Sequence, residues 1–137
     1  MTKQQGKAAQ AAYMYAKARV QFIEAQQKEI EREYIRTHEI INEDGTTPSS
    51  LYCIDDDALF EQACDDCGAL TEAAGLDAAY SEAQSELRRT ENILIAYGLS
   101  LAPAGLRATL EQAAKTNASV RAKLVDLAFR LDISTVR

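Results

Sequence analysis

Tryptophan is absent from these 137 residues, and there are one histidine, two prolines and six glycines. With a single imidazole, His38, the chain cannot build a multi-histidine metal site. It also has no Gly-rich phosphate loop, no G-x-S-x-G and no H-E-x-x-H, so the common catalytic signatures are missing. Three cysteines cannot all pair, which argues against a disulfide framework. Uninterrupted apolar runs reach about six residues, as in Ala11–Ala16, far short of a membrane span. The first twenty residues lack acidic side chains, a feature of transit peptides. A helical repeat already begins at Ala9, however, so this stretch reads as mature helix in a cytoplasmic protein. The remaining composition, 47% hydrophobic and 26% charged, is that of an ordered, helix-rich single domain.

The dominant pattern lies between Ala9 and Ile41. Steps of four and three residues touch Ala9, Tyr13, Ala16, Val20, Ile23, Gln27, Ile30, Tyr34, Thr37 and Ile41, and all but Gln27 and Thr37 are apolar or aromatic. This is a heptad seam, by which one helix lies along another. A helix from Thr2 or Lys3 to Ile41 or Asn42 is about 50 Å long, against a radius of gyration of about 14 Å for a compact chain of this size. It is therefore expected to project, to pair with a second long helix, or to join another copy of the chain. Tyr13, Val20, Ile23, Gln27, Ile30 and Tyr34 are the expected oligomer interface. The polar Gln27 and Thr37 would set register.

Residues 43–54 read as a loop, broken by Gly45 and Pro48, with Leu51–Ile54 tucked against the helices. A helical hairpin is expected over 55–98. Asp55 is the expected N-cap of its first helix, whose inner face carries Phe60, Ala63, Cys67, Leu70 and Ala74 and which stops at Gly75. The second helix of the hairpin carries a seam of Leu76, Tyr80, Ala83, Leu87, Thr90, Leu94 and Tyr97, and the stretch Gly98 to Pro103 ends it. It suits antiparallel packing on the first helix. Two shorter helices follow over 103–132. Pro103 opens the first, with Leu106, Leu110 and Ala113 inward, and Thr116 and Asn117 cap the second, which buries Val120, Leu124, Leu127 and Leu131. The expected architecture is all-α, a long coiled-coil-like N-terminal helix in an antiparallel hairpin or bundle with shorter C-terminal helices. Residues 134–137 are expected to be loose.

The formal charge of −6 is unevenly placed: +3 over residues 1–38, −12 over 39–100 and +3 over 101–137. A globally acidic chain is a poor non-specific nucleic-acid binder, although either basic end could form a local patch. Arg121 and Lys123 lie near the start of the last helix, where the second helix of a helix–turn–helix presents side chains to DNA. Cys53, Cys64, Cys67 and His38 are the only plausible zinc donors, but their spacing matches no standard zinc pattern, and Cys67 fits an apolar helix face. Asp55, Asp56, Asp57, Glu61, Asp65 and Asp66 make an acidic patch able to hold Mg²⁺ weakly, and the first three are better explained as helix-start residues. No cofactor and no catalytic residue is expected.

Ala12-Tyr13-Met14-Tyr15-Ala16 followed by Glu24-Ala25, then Gly45 to Pro48, then Gly75-Leu76, form an order of elements over about half the chain. This order resembles one group of phage terminase small subunits. Tyr97-Gly98-Leu99-Ser100 with Pro103 and Arg107 is similar to the glycine–leucine–proline–arginine ending of that group. The resemblance implies a non-enzymatic ring-forming protein that binds viral DNA and a large motor subunit. The expectation is accordingly a homo-oligomeric assembly or adaptor protein with no membrane association. An acidic regulatory module engaging a basic partner is the alternative, and a zinc-stabilised helical protein the third.

Overall fold

The computed structural model describes residues 2–134, with side chains as far as residue 130. Five helices account for most of them: α1 (Lys3–Thr37), α2 (Asp57–Ala73), α3 (Leu76–Leu101), α4 (Ala104–Ala114) and α5 (Ala118–Ser134), with a single 3-10 turn at Leu51–Cys53. No strand occurs among the described residues, and the architecture is all-α, with a long first helix packed against others. None of the helices is long and apolar enough to cross a membrane. Leu131 lies outside the described side chains and residues 135–137 outside the described backbone.

The ends of α1 are set by local chemistry. At the start, Gln5 N–H donates to Thr2 Oγ1 at 3.2 Å while Thr2 N–H donates to Gln5 Oε1 at 2.8 Å, a reciprocal capping box. The helix stops at Thr37, four or five residues before the expected Ile41 or Asn42. Glu39 takes a left-handed φ of 51°, Glu39 N–H donates to Arg36 O and Ile40 N–H reaches back to Ile35 O. This is a Schellman closure, and its customary apolar contact is present because Ile35 and Ile40 share one core. The stop comes from that wrapping contact and involves no glycine or proline.

Contacts divide the chain into two compact units, Met1–Ala18 with Gln84–Arg137 and Arg19–Ala83, so α1 and α3 each supply residues to both. In the first unit Leu94, Ile95, Tyr97, Ala114, Leu124 and Ala128 form the centre of the core, with Ala9 and Tyr13 brought in by α1. Gln10 Nε2 donates to Ala128 O at 3.0 Å, and the rings of Tyr13 and Phe129 stand 6.2 Å apart. In the second unit Tyr34, Ile35 and Ile40 pack with Leu51, Ile54, Ala63 and Cys67. Within the first unit α1 runs antiparallel to α3, with Gly6 under the Tyr97 ring and Tyr13 near Glu91; within the second, Arg19 approaches Glu82 at 3.9 Å.

Several expected boundaries move. Asp56 is the N-cap of α2, accepting from Leu59 N–H at 3.0 Å. Asp55 instead accepts from Glu43 N–H at 3.0 Å and so ties the loop. Gly75 does end α2, with φ of 73°. α3 passes through Gly98 and stops at Leu101, inside the expected Gly98–Pro103 stretch; a Cβ at Gly98 would lie 2.5 Å from Leu124 O. That glycine is a point of close helix approach, not a stop. Pro103 is the N-cap residue of α4 rather than part of its first turn, and Arg107 donates to Ser100 O and Ala102 O, satisfying the carbonyls at the end of α3. Asn117 caps α5 through its Oδ1, which accepts from Ser119 and Val120 N–H. Three residues expected inward, Leu70, Ala74 and Leu106, are exposed.

Candidate interaction surfaces

α1 carries two apolar stripes. The inner one is the seam read from the sequence: Ala9, Ala16, Val20, Ile23 and Tyr34 are buried, and Tyr13, Gln27 and Ile30 are half-buried. The spacing puts Val20, Ile23 and Tyr34 at an interface with another copy, but the chain's own residues cover all three. They therefore offer no surface to a partner. A heptad shows that a helix needs company without showing who supplies it. Ile41 is exposed, beyond the helix end.

The outer stripe is Ala8, Ala11, Tyr15, Ala18, Phe22 and Ala25, all exposed and again spaced by threes and fours. Tyr15 keeps 74% of its surface and Phe22 64%, and Met14 beside them keeps 61%. Large apolar residues clustered on one helix face mark an interaction site more often than an ordinary surface. The inner seam masks this second stripe in the sequence, since four of its six members are alanine. Its signal is the same period, offset around the helix.

The second unit also holds an open groove of about 760 Å³, lined by Ile30, Tyr34, His38, Leu70 and Leu76 among others. Its polar edge is fixed. Tyr34 Oη donates to Asp66 Oδ2 at 2.6 Å, Gln62 Nε2 donates to Asp66 Oδ1 at 2.8 Å, and the Tyr34 and His38 rings stack at 3.9 Å. The bond to Asp66 pushes the Tyr34 hydroxyl up to about 12, with burial adding to it. The same bond, and that from Gln62, hold the Asp66 carboxyl below its ordinary value. A tyrosine held protonated by a carboxylate is a structural clamp and a poor general base.

The thiols do not converge. Burial pushes Cys67 up to about 11, while the Ser50 and Ser49 hydroxyls hold the exposed Cys53 below its usual range. Among the described residues no group of three or more His, Cys, Asp or Glu side chains is placed to hold a metal ion. The expected DNA-facing pair is split. Lys123 is exposed, but Arg121 donates twice to Glu91 Oε1, at 2.9 and 2.7 Å, and once to Asn92 Oδ1 at 2.7 Å. The Arg121 side chain keeps only 15% of its surface. Its guanidinium fastens α5 to α3, which removes it from the set of cations able to meet phosphate. Sequence could not show this, because Glu91 lies thirty residues earlier.

Comparison of the chain with protein-family models, with curated proteins and with solved structures found no match. The surfaces themselves therefore carry the functional reading.

Proposed function

We propose that this is a non-enzymatic helical assembly or adaptor protein that works through helix–helix contacts. The observation that carries the reading is the outer stripe of α1, where Tyr15, Phe22 and Met14 stand in solvent on a helix whose other face is already packed. The groove beside Ile30 and Leu70 offers a second apolar surface. The polar groups best placed for chemistry, Tyr34 with Asp66 and Arg121 with Glu91, are satisfied by one another.

The resemblance to terminase small subunits gives this role a setting, the recruitment of viral DNA to a large motor subunit. Lys115, Lys123 and Arg130 remain exposed on α5 and the turn before it, and with Arg121 withdrawn they are a thin basic patch. Light scattering combined with a duplex DNA shift titrated in salt tests both levels. An oligomer whose DNA complex weakens steeply as salt rises supports the recruiter. An oligomer that ignores DNA leaves an adaptor, and a strict monomer that ignores DNA favours the acidic binding module.

A further inference from the structure

The groove of the second unit has an apolar floor and an acidic rim, and the two together select its occupant. We propose that it docks a basic amphipathic helix of a partner protein, with the apolar face of that helix on Ile30, Leu70 and Leu76 and its lysines and arginines toward the rim. The proposal rests on the adaptor reading above and supplies the chemistry of the partner.

The groove lies wholly within Arg19–Ala83. α1 forms one wall from Gln26 to His38, and the end of α2 with the start of α3 forms the other through Leu70, Ala74 and Leu76. Twelve residue steps of α1 make it about 18 Å long, the length of about three helical turns. Leu70 keeps 50% of its surface, and Ile30 and Leu76 are half-buried, so the apolar floor is within reach of a partner. A trough of that length suits a helix that contacts it through positions i, i+4 and i+7.

Charge chooses among helices. Residues 19–83 hold sixteen acidic and four basic side chains, a formal −12, and from 37 to 83 there is no lysine or arginine. The wall of Leu70 and Leu76 therefore comes from a stretch without a permanent cation. Asp66 lies one turn before Leu70, and the bonds it accepts from Tyr34 and Gln62 satisfy its oxygens without cancelling its charge. On the α1 wall, Glu29 and Glu33 line the groove, whereas their partners Arg32 and Arg36 line a different cavity with Ile35 and Ile40. Both pairs stand in solvent and are weakly held, so each carboxylate can accept a second cation. No lysine or arginine among the described residues lines the groove. It therefore draws in a cationic helix and repels an acidic helix, a nucleic acid or an anionic lipid surface. Three turns of helix make a small contact of the transient class, in which charge sets encounter and choice of partner more than affinity.

The probe is a fluorescent 18-residue peptide with leucine at those spacings and lysine elsewhere, titrated with the full chain and read by anisotropy. It should bind saturably at one site, more weakly as salt rises from about 50 to about 300 mM. The same peptide with glutamate for lysine should not bind. Leu70→Lys, and separately Ala74→Arg, should weaken binding at least about tenfold with helical content and melting unchanged, since both side chains are exposed. Glu29→Gln with Glu33→Gln should weaken it about threefold and flatten the salt dependence. Phe22→Ser, on the outer stripe, should leave it unaltered. A lysine peptide that ignores the protein, that binds both wall variants as tightly, or whose glutamate counterpart binds equally well overturns the proposal. So does self-association that Leu70→Lys abolishes, because the occupant is then a second copy. These outcomes leave the adaptor reading standing on the outer stripe of α1, whereas a chain that is monomeric by light scattering and also refuses the peptide loses both.

Discussion

Gly98 and Glu39 invert what their residue types lead one to expect. Glycine is the usual helix terminator, yet Gly98 lies within α3 where the backbone of α5 comes too close for a side chain. Glutamate favours helix, yet Glu39 holds the left-handed position that ends α1. Alanine at position 98 gains about 1 kcal/mol of helix propensity. It must also push Leu124 O away from a Cβ only 2.5 Å off, and that atom belongs to a packed backbone with no rotamer to change. Gly98→Ala should therefore lose about 2 kcal/mol net, read as a lower urea midpoint at unchanged slope. A midpoint equal to or above that of the wild type would mean that α3 and α5 do not approach as closely as described. Neither role was legible in the sequence: one depends on a carbonyl 26 residues away, the other on the apolar contact between Ile35 and Ile40 that pulls the chain round.

Helix pairs are joined by a few polar ties on apolar faces, and the tie from α1 to α2 makes a pH prediction. Tyr34 bonds to Asp66, with the hydroxyl raised to about 12 and the carboxyl lowered. A raised tyrosine contributes stability that is whole below its ordinary value of 10.0 and is lost as pH climbs through about 12. A lowered carboxyl contributes stability that is whole above its ordinary 3.8 and is lost as pH falls through its folded value. Tyr34→Phe should thus be most destabilising between those two ordinary values, and its deficit should shrink in strong acid and strong base. It should also delete the highest step of the ultraviolet tyrosinate titration. Retention of that step in the variant would place the raised hydroxyl on another tyrosine. At this scale the sequence was informative. Ala83, Thr90, Leu94 and Tyr97 of the α3 seam are buried as their spacing required, with the Thr90 hydroxyl returned to Leu87 O at 3.0 Å. The same spacing puts Leu70 inward, yet it keeps half its surface, because α2 stops at Ala73 and leaves its last turn at the groove.

At the scale of the whole molecule, the question is how one helix serves both folding and association. α1 is about 52 Å long, and its two stripes lie on different faces. Period alone exposed the first stripe and could not say that its partner was the same chain. The second was hidden because alanine, its commonest residue, is unremarkable in any helix. The division of labour is testable with adjacent residues. Ile23 keeps 4% of its surface and Phe22 keeps 64%, so an acid at each enters opposite environments. Ile23→Asp places a carboxylate in a buried, apolar position and removes a core side chain as well. The loss should be at least about 3 kcal/mol, enough to leave a domain of ordinary stability partly unfolded near physiological temperature. Circular dichroism melts of Ile23→Asp and Phe22→Glu measure the contrast directly: a steep fall in melting temperature for the first and almost none for the second. If the two fell together, the outer stripe would belong to the core and could not be a docking face. If neither fell, the inner seam would not be what holds α1 to its own chain.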